Sequence, residues 1–152
     1  SAYLVHGFSV EDLFNLSCGK RFFDHIKEIS FDFASADLIV AHNISFDLNF
    51  LRAEFENAGE CFKHSNDFCS MKSAVPICKL PRKTGAGYKY PKLTELCQFL
   101  HITEQQIIDK ERLLYGSIKS SHDARFDTTA LYLCVKKASE LYPEFSCVKE
   151  FI

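Results

Sequence analysis

The feature that most constrains the fold is a short apolar run followed at once by a longer amphipathic segment. Asp37-Leu-Ile-Val-Ala-His42 is compact and flanked by helical patterns, so we predict a buried strand there. Residues 45–58 are predicted to form a helix closed by Gly59, with apolar residues at Phe46, Phe50, Leu51 and Phe55. A strand that passes directly into a helix is typical of α/β folds.

The remaining elements are mostly helical. Ser9 is well placed to cap a first helix, with Asp12 three residues on. A second strand is predicted over Phe68–Met71. It feeds a helix toward Leu80, and a loop rich in Gly, Pro and basic residues spans 81–91. Further helices are predicted over 20–33, 93–100 and 124–141, with Pro143 ending the last. Because two strands alone make a marginal sheet, the pattern implies a larger one.

Composition excludes some function classes. The 152 residues suit one domain, and a net charge of −2 argues against a non-specific nucleic-acid binder, which is usually basic. The run at 37–42 is too short to cross a membrane, so no membrane partner is expected. Seven scattered cysteines fit reduced, mostly buried thiols and a cytoplasmic location. A zinc site is possible but lacks the usual paired spacing at Cys61, His64 and Cys69.

Two segments carry candidate chemistry. His42-Asn-Ile-Ser-Phe-Asp47 spans the junction of the predicted strand and helix, where α/β sheets often hold functional side chains. His122-Asp-Ala-Arg-Phe-Asp127 opens the last helix. Each segment taken alone also fits a simpler interpretation, since an acidic residue in a first turn complements the helix dipole.

The two segments in order resemble signature segments of the DnaQ-like DEDDh 3′→5′ exonucleases. The resemblance rests on Asx-x-x-Phe-Asp after a strand and His-x-x-x-x-Asp opening a helix about eighty residues later. Two further segments are similar to that family: His6-Gly7, and Tyr90-Pro-Lys-Leu-Thr-Glu-Leu-Cys97. The resemblance implies an α/β, ribonuclease H-like exonuclease fold, in which helices flank a mixed sheet.

The resemblance also implies roles for single residues. Four carboxylates of the family bind two Mg²⁺ or Mn²⁺ ions and a histidine activates water. Asp47 and Asp127 would be metal ligands, and His122 the general base. The substrate-binding group would comprise His6 and Val5 beside the terminal nucleotide, and Asn43 and Phe46, which also support the metal ligand.

A group of loop residues could contact the nucleic-acid strand by charge and base stacking: Arg82, Lys83, Tyr88, Lys89 and Lys92. An exposed basic loop is about as often only solvated surface.

One signature has no counterpart. The family's first strand carries Asp-x-Glu, which supplies the other two carboxylates, and it should precede His6-Gly7. Asp109-Lys-Glu111 is the one literal match, but it falls in a charged segment between the other signatures and is rejected. We therefore expect residues 1–152 to be the C-terminal portion of a single exonuclease domain. That portion would lack the N-terminal strands, so it would be mostly helical and inactive or nearly so by itself.

Three functions stay open. The first is an enzyme that hydrolyses phosphodiester bonds at the 3′ ends of single-stranded DNA or RNA, in proofreading or repair, with a DNA polymerase as a candidate partner. The second is a non-catalytic module that binds nucleic acid or a polymerase. The third is an unrelated α/β domain, which would require both aspartate segments to be coincidental.

Overall fold

A computed structural model of the chain describes residues 9–116 and 124–152. It is a mostly helical α/β structure with a two-stranded parallel sheet, which confirms the predicted α/β class and its mostly helical character, while the ribonuclease H-like fold stays a prediction. In chain order the elements are α1 (Val10–Leu16), a first 3₁₀ helix (Phe22–His25), α2 (Ile26–Ser35), β1 (Leu38–Ala41), α3 (Ile44–Asn57), β2 (Asn66–Cys69), α4 (Ser70–Cys78), α5 (Leu93–Phe99), α6 (Glu104–Tyr115), α7 (Ala124–Leu141) and a second 3₁₀ helix (Pro143–Phe151).

Several predicted elements are confirmed. β1, α3, α5 and α7 occupy the predicted positions to within about two residues. At the start of α1 the backbone N–H of Asp12 donates to Ser9 Oγ at 3.0 Å. The backbone N–H of Ser9 in turn donates to the Asp12 carboxylate at 2.8 Å, which completes a capping box.

The single helix predicted over 20–33 was wrong in its first half. The chain instead forms the first 3₁₀ helix before α2, because the Asp24 carboxylate accepts a 2.7 Å hydrogen bond from the Arg21 N–H and fixes a separate start. The second strand also lies earlier than predicted. It ends at Cys69, and Ser70 already belongs to α4.

The described residues form two compact units, residues 9–39 with 45–66 and residues 40–44 with 67–116 and 124–152. The first unit has an aromatic core. The ring of Phe55 lies 5.7 Å from that of Phe22 and 5.1 Å from that of Phe62, which in turn lies 5.2 Å from Phe33. Edge-to-face and tilted contacts of this kind stabilise a core beyond simple burial. The prediction of a single domain stays a prediction.

The second unit packs around α7. One face of this helix buries small and medium side chains: Thr129, Ala130, Cys134, Val135, Ala138 and Ser139. The second 3₁₀ helix packs against it and buries Phe145 and Val148, and the Phe145 ring meets Phe68 of β2 at 5.3 Å. Small residues on α7 allow the neighbouring elements to approach closely.

α3 exposes two of the aromatic residues that its pattern suggested were core. Leu48 and Phe55 are buried, but Phe46 and Phe50 are 69% and 57% exposed. Residues two positions apart on a helix lie about 200° apart, so Phe46 and Leu48 point to opposite sides. α3 therefore carries one buried apolar face and one exposed aromatic face.

The cysteines differ from the expectation that most are buried. Only Cys97 and Cys134 are buried, whereas Cys69 and Cys78 are intermediate and the remaining three are exposed: Cys18, Cys61 and Cys147. Cys18 and Cys61 lie outside the helices and strands, and Cys147 lies on the exposed side of the second 3₁₀ helix. Within the described ranges, no helix has the length and apolar character needed to cross a membrane.

Candidate functional site

The junction of β1 and α3 contains the first predicted signature. β1 ends at Ala41 and α3 begins at Ile44, so the turn is made in two residues. Asn43 has a φ of 81°, in the left-handed region that asparagine tolerates better than most residues. The turn sets the start of α3, whose first helical turn includes Phe46 and Asp47.

Asp47 has a perturbed carboxyl group. Its side chain is exposed, yet nearby protein atoms displace enough water to raise the pKa of Asp47 above the ordinary aspartate value. Its own backbone N–H donates to the carboxylate and acts in the opposite direction. Partial loss of hydration makes the charged form of this carboxylate less stable, and a bound cation would reverse that effect.

His42 joins three segments of the second unit, which the sequence did not reveal. Its Nε2 atom lies 2.9 Å from the carbonyl oxygen of Pro91, and its Nδ1 atom lies 3.0 Å from Ser70 Oγ. Since a carbonyl only accepts, Nε2–H must be the donor, and Nδ1 of the neutral ring accepts from the Ser70 hydroxyl. Burial lowers the pKa of His42, although the Pro91 hydrogen bond opposes this.

The Ser70 hydroxyl also donates to the carbonyl oxygen of Ala41 at 3.2 Å, so two acceptors share its one proton, and Ser70 is fully buried. His42 and Ser70 therefore tie the end of β1 to the start of α4 and to the segment before α5. Ser70 is inaccessible to a substrate, so this pair is a structural support rather than a nucleophile and its base.

Asp127 lies in the first turn of α7, as predicted for the second signature, and its side chain is exposed. It is close enough to Cys97 for its negative charge to oppose ionisation of that thiol. The larger effect on Cys97 is a hydrogen bond with Cys134, which lowers the pKa of Cys97; the two Sγ atoms are 3.4 Å apart. Asp127 thus lies beside a buried thiol pair within the second unit.

Three predicted site residues fall outside the described residues. Val5 and His6 precede Ser9, and His122 lies between α6 and α7, so their predicted roles stay predictions. Asp47 and Asp127 belong to different compact units.

Asp109-Lys110-Glu111 lies within α6, a helix that was not predicted from the sequence. Residues two apart on a helix do not face each other, so the two carboxylates point in different directions. Asp109 is exposed and accepts a hydrogen bond from Gln105 at 2.9 Å, whereas Glu111 is fully buried. This geometry supports the rejection of the segment as a substitute for Asp-x-Glu.

Within residues 9–116 and 124–152, no group of three or more His, Cys, Asp or Glu side chains could hold a metal ion. Asp47 and Asp127 each offer one carboxylate. The described residues therefore do not fit a complete two-metal centre, which needs further oxygen ligands.

Comparison with known proteins returned no match from protein-family models, curated proteins or solved structures.

Proposed function

We propose that this chain is part of a metal-dependent 3′→5′ exonuclease of the DnaQ-like DEDDh type with a ribonuclease H-like fold. One observation carries most of the weight: both signature aspartates lie in the first turns of helices, and the helix of Asp47 follows β1 after a two-residue turn. The pKa perturbation of Asp47 adds support, because such shifts are common among carboxylates of functional sites.

In this proposal Asp47 and Asp127 would hold Mg²⁺ or Mn²⁺, and His122 would accept a proton from the attacking water. Two metal ions would supply Lewis acidity and neutralise phosphate charge. The exposed ring of Phe46 is available to the terminal nucleotide, as the substrate-binding role requires. His6, Val5 and Asn43 complete that group.

The same proposal expects low activity from this polypeptide. Two carboxylates are half of the family's ligand set, and the described residues form no complete metal centre. We therefore expect hydrolysis to be very slow or undetectable. Association with a DNA polymerase and a cytoplasmic location belong to the proposal as well.

Nucleotide release from single-stranded DNA labelled at the 3′-terminal nucleotide tests the proposal. With Mn²⁺ present, any release should yield nucleoside monophosphates from the 3′ end and should disappear in both Asp47→Ala and Asp127→Ala. Robust release with this dependence would support the exonuclease and overturn only the expectation of low activity. Release that neither substitution affects, or internal cleavage, would contradict the proposed site.

A second candidate is a nucleic-acid-binding module without hydrolysis. It is favoured by residues 68–94, a segment that contains six basic residues and no aspartate or glutamate. Tight strand binding together with no metal binding at Asp47 or Asp127 would favour this module over the enzyme.

A further inference from the structure

Charge is distributed unevenly along the chain. Residues 68–94 carry six basic residues and none of the 20 acidic ones, so this segment has a charge of +6 in a chain of net charge −2. The weakly acidic total therefore hides a basic region. Basic clusters that keep their charge unpaired are typical of surfaces that contact phosphates.

The centre of this segment is a hairpin-like loop over 80–89. Pro81 and Tyr88 form an antiparallel bridge, and the Lys89 N–H donates to the carbonyl of Leu80 at 2.8 Å. Arg82 Nε donates to the carbonyl oxygen of Tyr88 at 3.1 Å. Gly85 and Gly87 make the tip with positive φ angles, and the space around both is open. The loop is thus held at its base by hydrogen bonds.

Exposure alternates along this loop, and it distinguishes Lys89 from the two tyrosines that flank it. Lys89 is partly buried and its ammonium pairs with the Glu95 carboxylate, so its charge is neutralised. On either side of it, Tyr88 and Tyr90 are 44% and 58% exposed. This alternation of exposure over residues 88–90 is typical of an extended segment, in which both tyrosines would share the side away from Lys89.

All five other basic residues of the segment remain on the surface. The exposed ones are Lys72, Lys79, Arg82, Lys83 and Lys92. The structure therefore changes the predicted contact group. Lys89 is removed because its ammonium pairs with Glu95, and Tyr90, which was not predicted, is added.

We infer that the 79–92 segment is a binding surface for single-stranded nucleic acid, on which Tyr88 and Tyr90 stack on bases and the exposed lysines contact phosphates. Aromatic rings beside basic side chains are the combination that binds single strands with little sequence preference. The exposed basic side chains of the segment complement the phosphate backbone, although Glu95 offsets the charge of Lys89 and part of that of Lys92. The inference adds to the proposed function a contact surface for the substrate strand. It rests on the proposed function only where it identifies the bound strand as the substrate.

Fluorescence anisotropy with a labelled 20-nucleotide single strand tests the surface. EDTA in the buffer prevents any hydrolysis, so binding is measured independently of the proposed activity. Tyr88→Ala and Tyr90→Ala should each weaken binding about 5- to 100-fold, whereas Tyr88→Phe and Tyr90→Phe should bind like the parent chain. Tyr115→Ala is the matched control, because Tyr115 is 42% exposed on α6, and it should change binding little.

Two further arms separate stacking from charge. An abasic strand of the same length should bind more weakly, and the tyrosine substitutions should not change its affinity. Removing two lysines by K79Q/K83Q should reduce the slope of log Kd against log salt by about 1.4, while K136Q/K137Q, with the same net charge, should not. DNA and RNA strands measured in parallel report which sugar the surface prefers.

The outcomes are distinct. Parent-like binding by both tyrosine-to-alanine variants, or equal weakening by Tyr115→Ala, would overturn the binding surface whatever the hydrolysis assay gives. Tyrosine-dependent binding would uphold the surface whatever the hydrolysis assay gives, whereas release that neither aspartate substitution affects would count against the proposed exonuclease alone.

Discussion

The Nδ1 atom of His42 lies 3.0 Å from the hydroxyl oxygen of Ser70, a residue 28 positions later in the chain. The other ring nitrogen meets the Pro91 carbonyl, so one imidazole connects the strand that precedes Asn43 with two distant segments. Each of these partners is buried, and a polar group that loses its partner in the interior carries a desolvation cost. His42 is therefore a structural anchor of the second unit.

The His42 anchor should make stability depend on pH. Burial lowers the folded-state pKa of His42, so below the unfolded value of about 6.5 the unfolded chain binds the proton more readily. Its contribution to stability is fully present above pH 6.5 and is lost as the pH falls toward the folded pKa. Urea unfolding between pH 5 and 8 should show this decline.

The matched variants are His42→Gln and His101→Asn. H42Q should lose about 1–3 kcal/mol at pH 7.5 and show a flatter pH profile. His101 is exposed, and asparagine tolerates its positive φ of 53°, so His101→Asn should keep the parent profile. An unchanged profile in H42Q would assign the pH dependence to another group.

The turn before α3 depends on the left-handed backbone of Asn43. Glycine adopts this conformation without a Cβ penalty, so Asn43→Gly should change the free energy of unfolding by a few tenths of a kcal/mol. Asn43→Ala should cost about 1–2 kcal/mol, because alanine is strained there. Denaturant unfolding of the two variants compares them directly, and equal stability would mean that the turn does not hold this φ.

Glu111 should destabilise the second unit. Both of its carboxylate oxygens are buried and have no hydrogen-bond partner among the described residues. Replacing an unpaired buried carboxylate by an apolar side chain of similar size removes its desolvation cost, so Glu111→Met should stabilise the chain by about 1–3 kcal/mol. Glu111→Gln removes the charge and keeps the shape of the side chain, so it tests the effect of the charge alone. A loss of stability in both variants would show that the carboxylate has a partner essential to the fold.

Substitution of Asp47 distinguishes two roles for its carboxylate, a functional role and simple stabilisation of the helix dipole. A carboxylate present only for the dipole stabilises its helix by about 0.3–1 kcal/mol, and Glu104 in the first turn of α6 serves as the comparison. The raised pKa of Asp47 means that folding disfavours its charge at neutral pH. Asp47→Asn should therefore be neutral or stabilising in thermal unfolding at pH 7, whereas Glu104→Gln should destabilise. Destabilisation by both would favour the dipole role.

The parts of the fold that local patterns specify were predicted well. Ser9 with Asp12, the apolar run before Asn43 and the stop at Pro143 each act over a few residues, so spacing alone locates α1, β1 and the end of α7. α6 was missed although Thr103 and Gln106 form a capping box and Gly116 ends the helix with a φ of 74°. Its charged composition hid a signal that was present.

Other features could not be read from local patterns. The bonds of His42 to Ser70 and Pro91 span 28 and 49 positions, and the pairing of Lys89 with Glu95 depends on the loop geometry. Whether Phe46 is buried depends on what packs against α3, which one helix's periodicity does not specify. Tertiary contacts therefore determine the partners and the burial of these side chains. The sequence alone identifies only which residues could take part.

Calorimetric titration of Mn²⁺ in the presence of a nucleoside 5′-monophosphate tests the central claim most directly, because the phosphate can supply ligands beside the two aspartates. We predict weak binding that weakens further when acid protonates the Asp47 carboxyl, whose pKa is raised by desolvation. We further predict that Asp47→Asn and Asp127→Asn each abolish the binding and that Glu104→Gln leaves it intact. Absence of binding in the parent chain, or binding that survives both aspartate substitutions, would contradict the assignment of Asp47 and Asp127 as metal ligands.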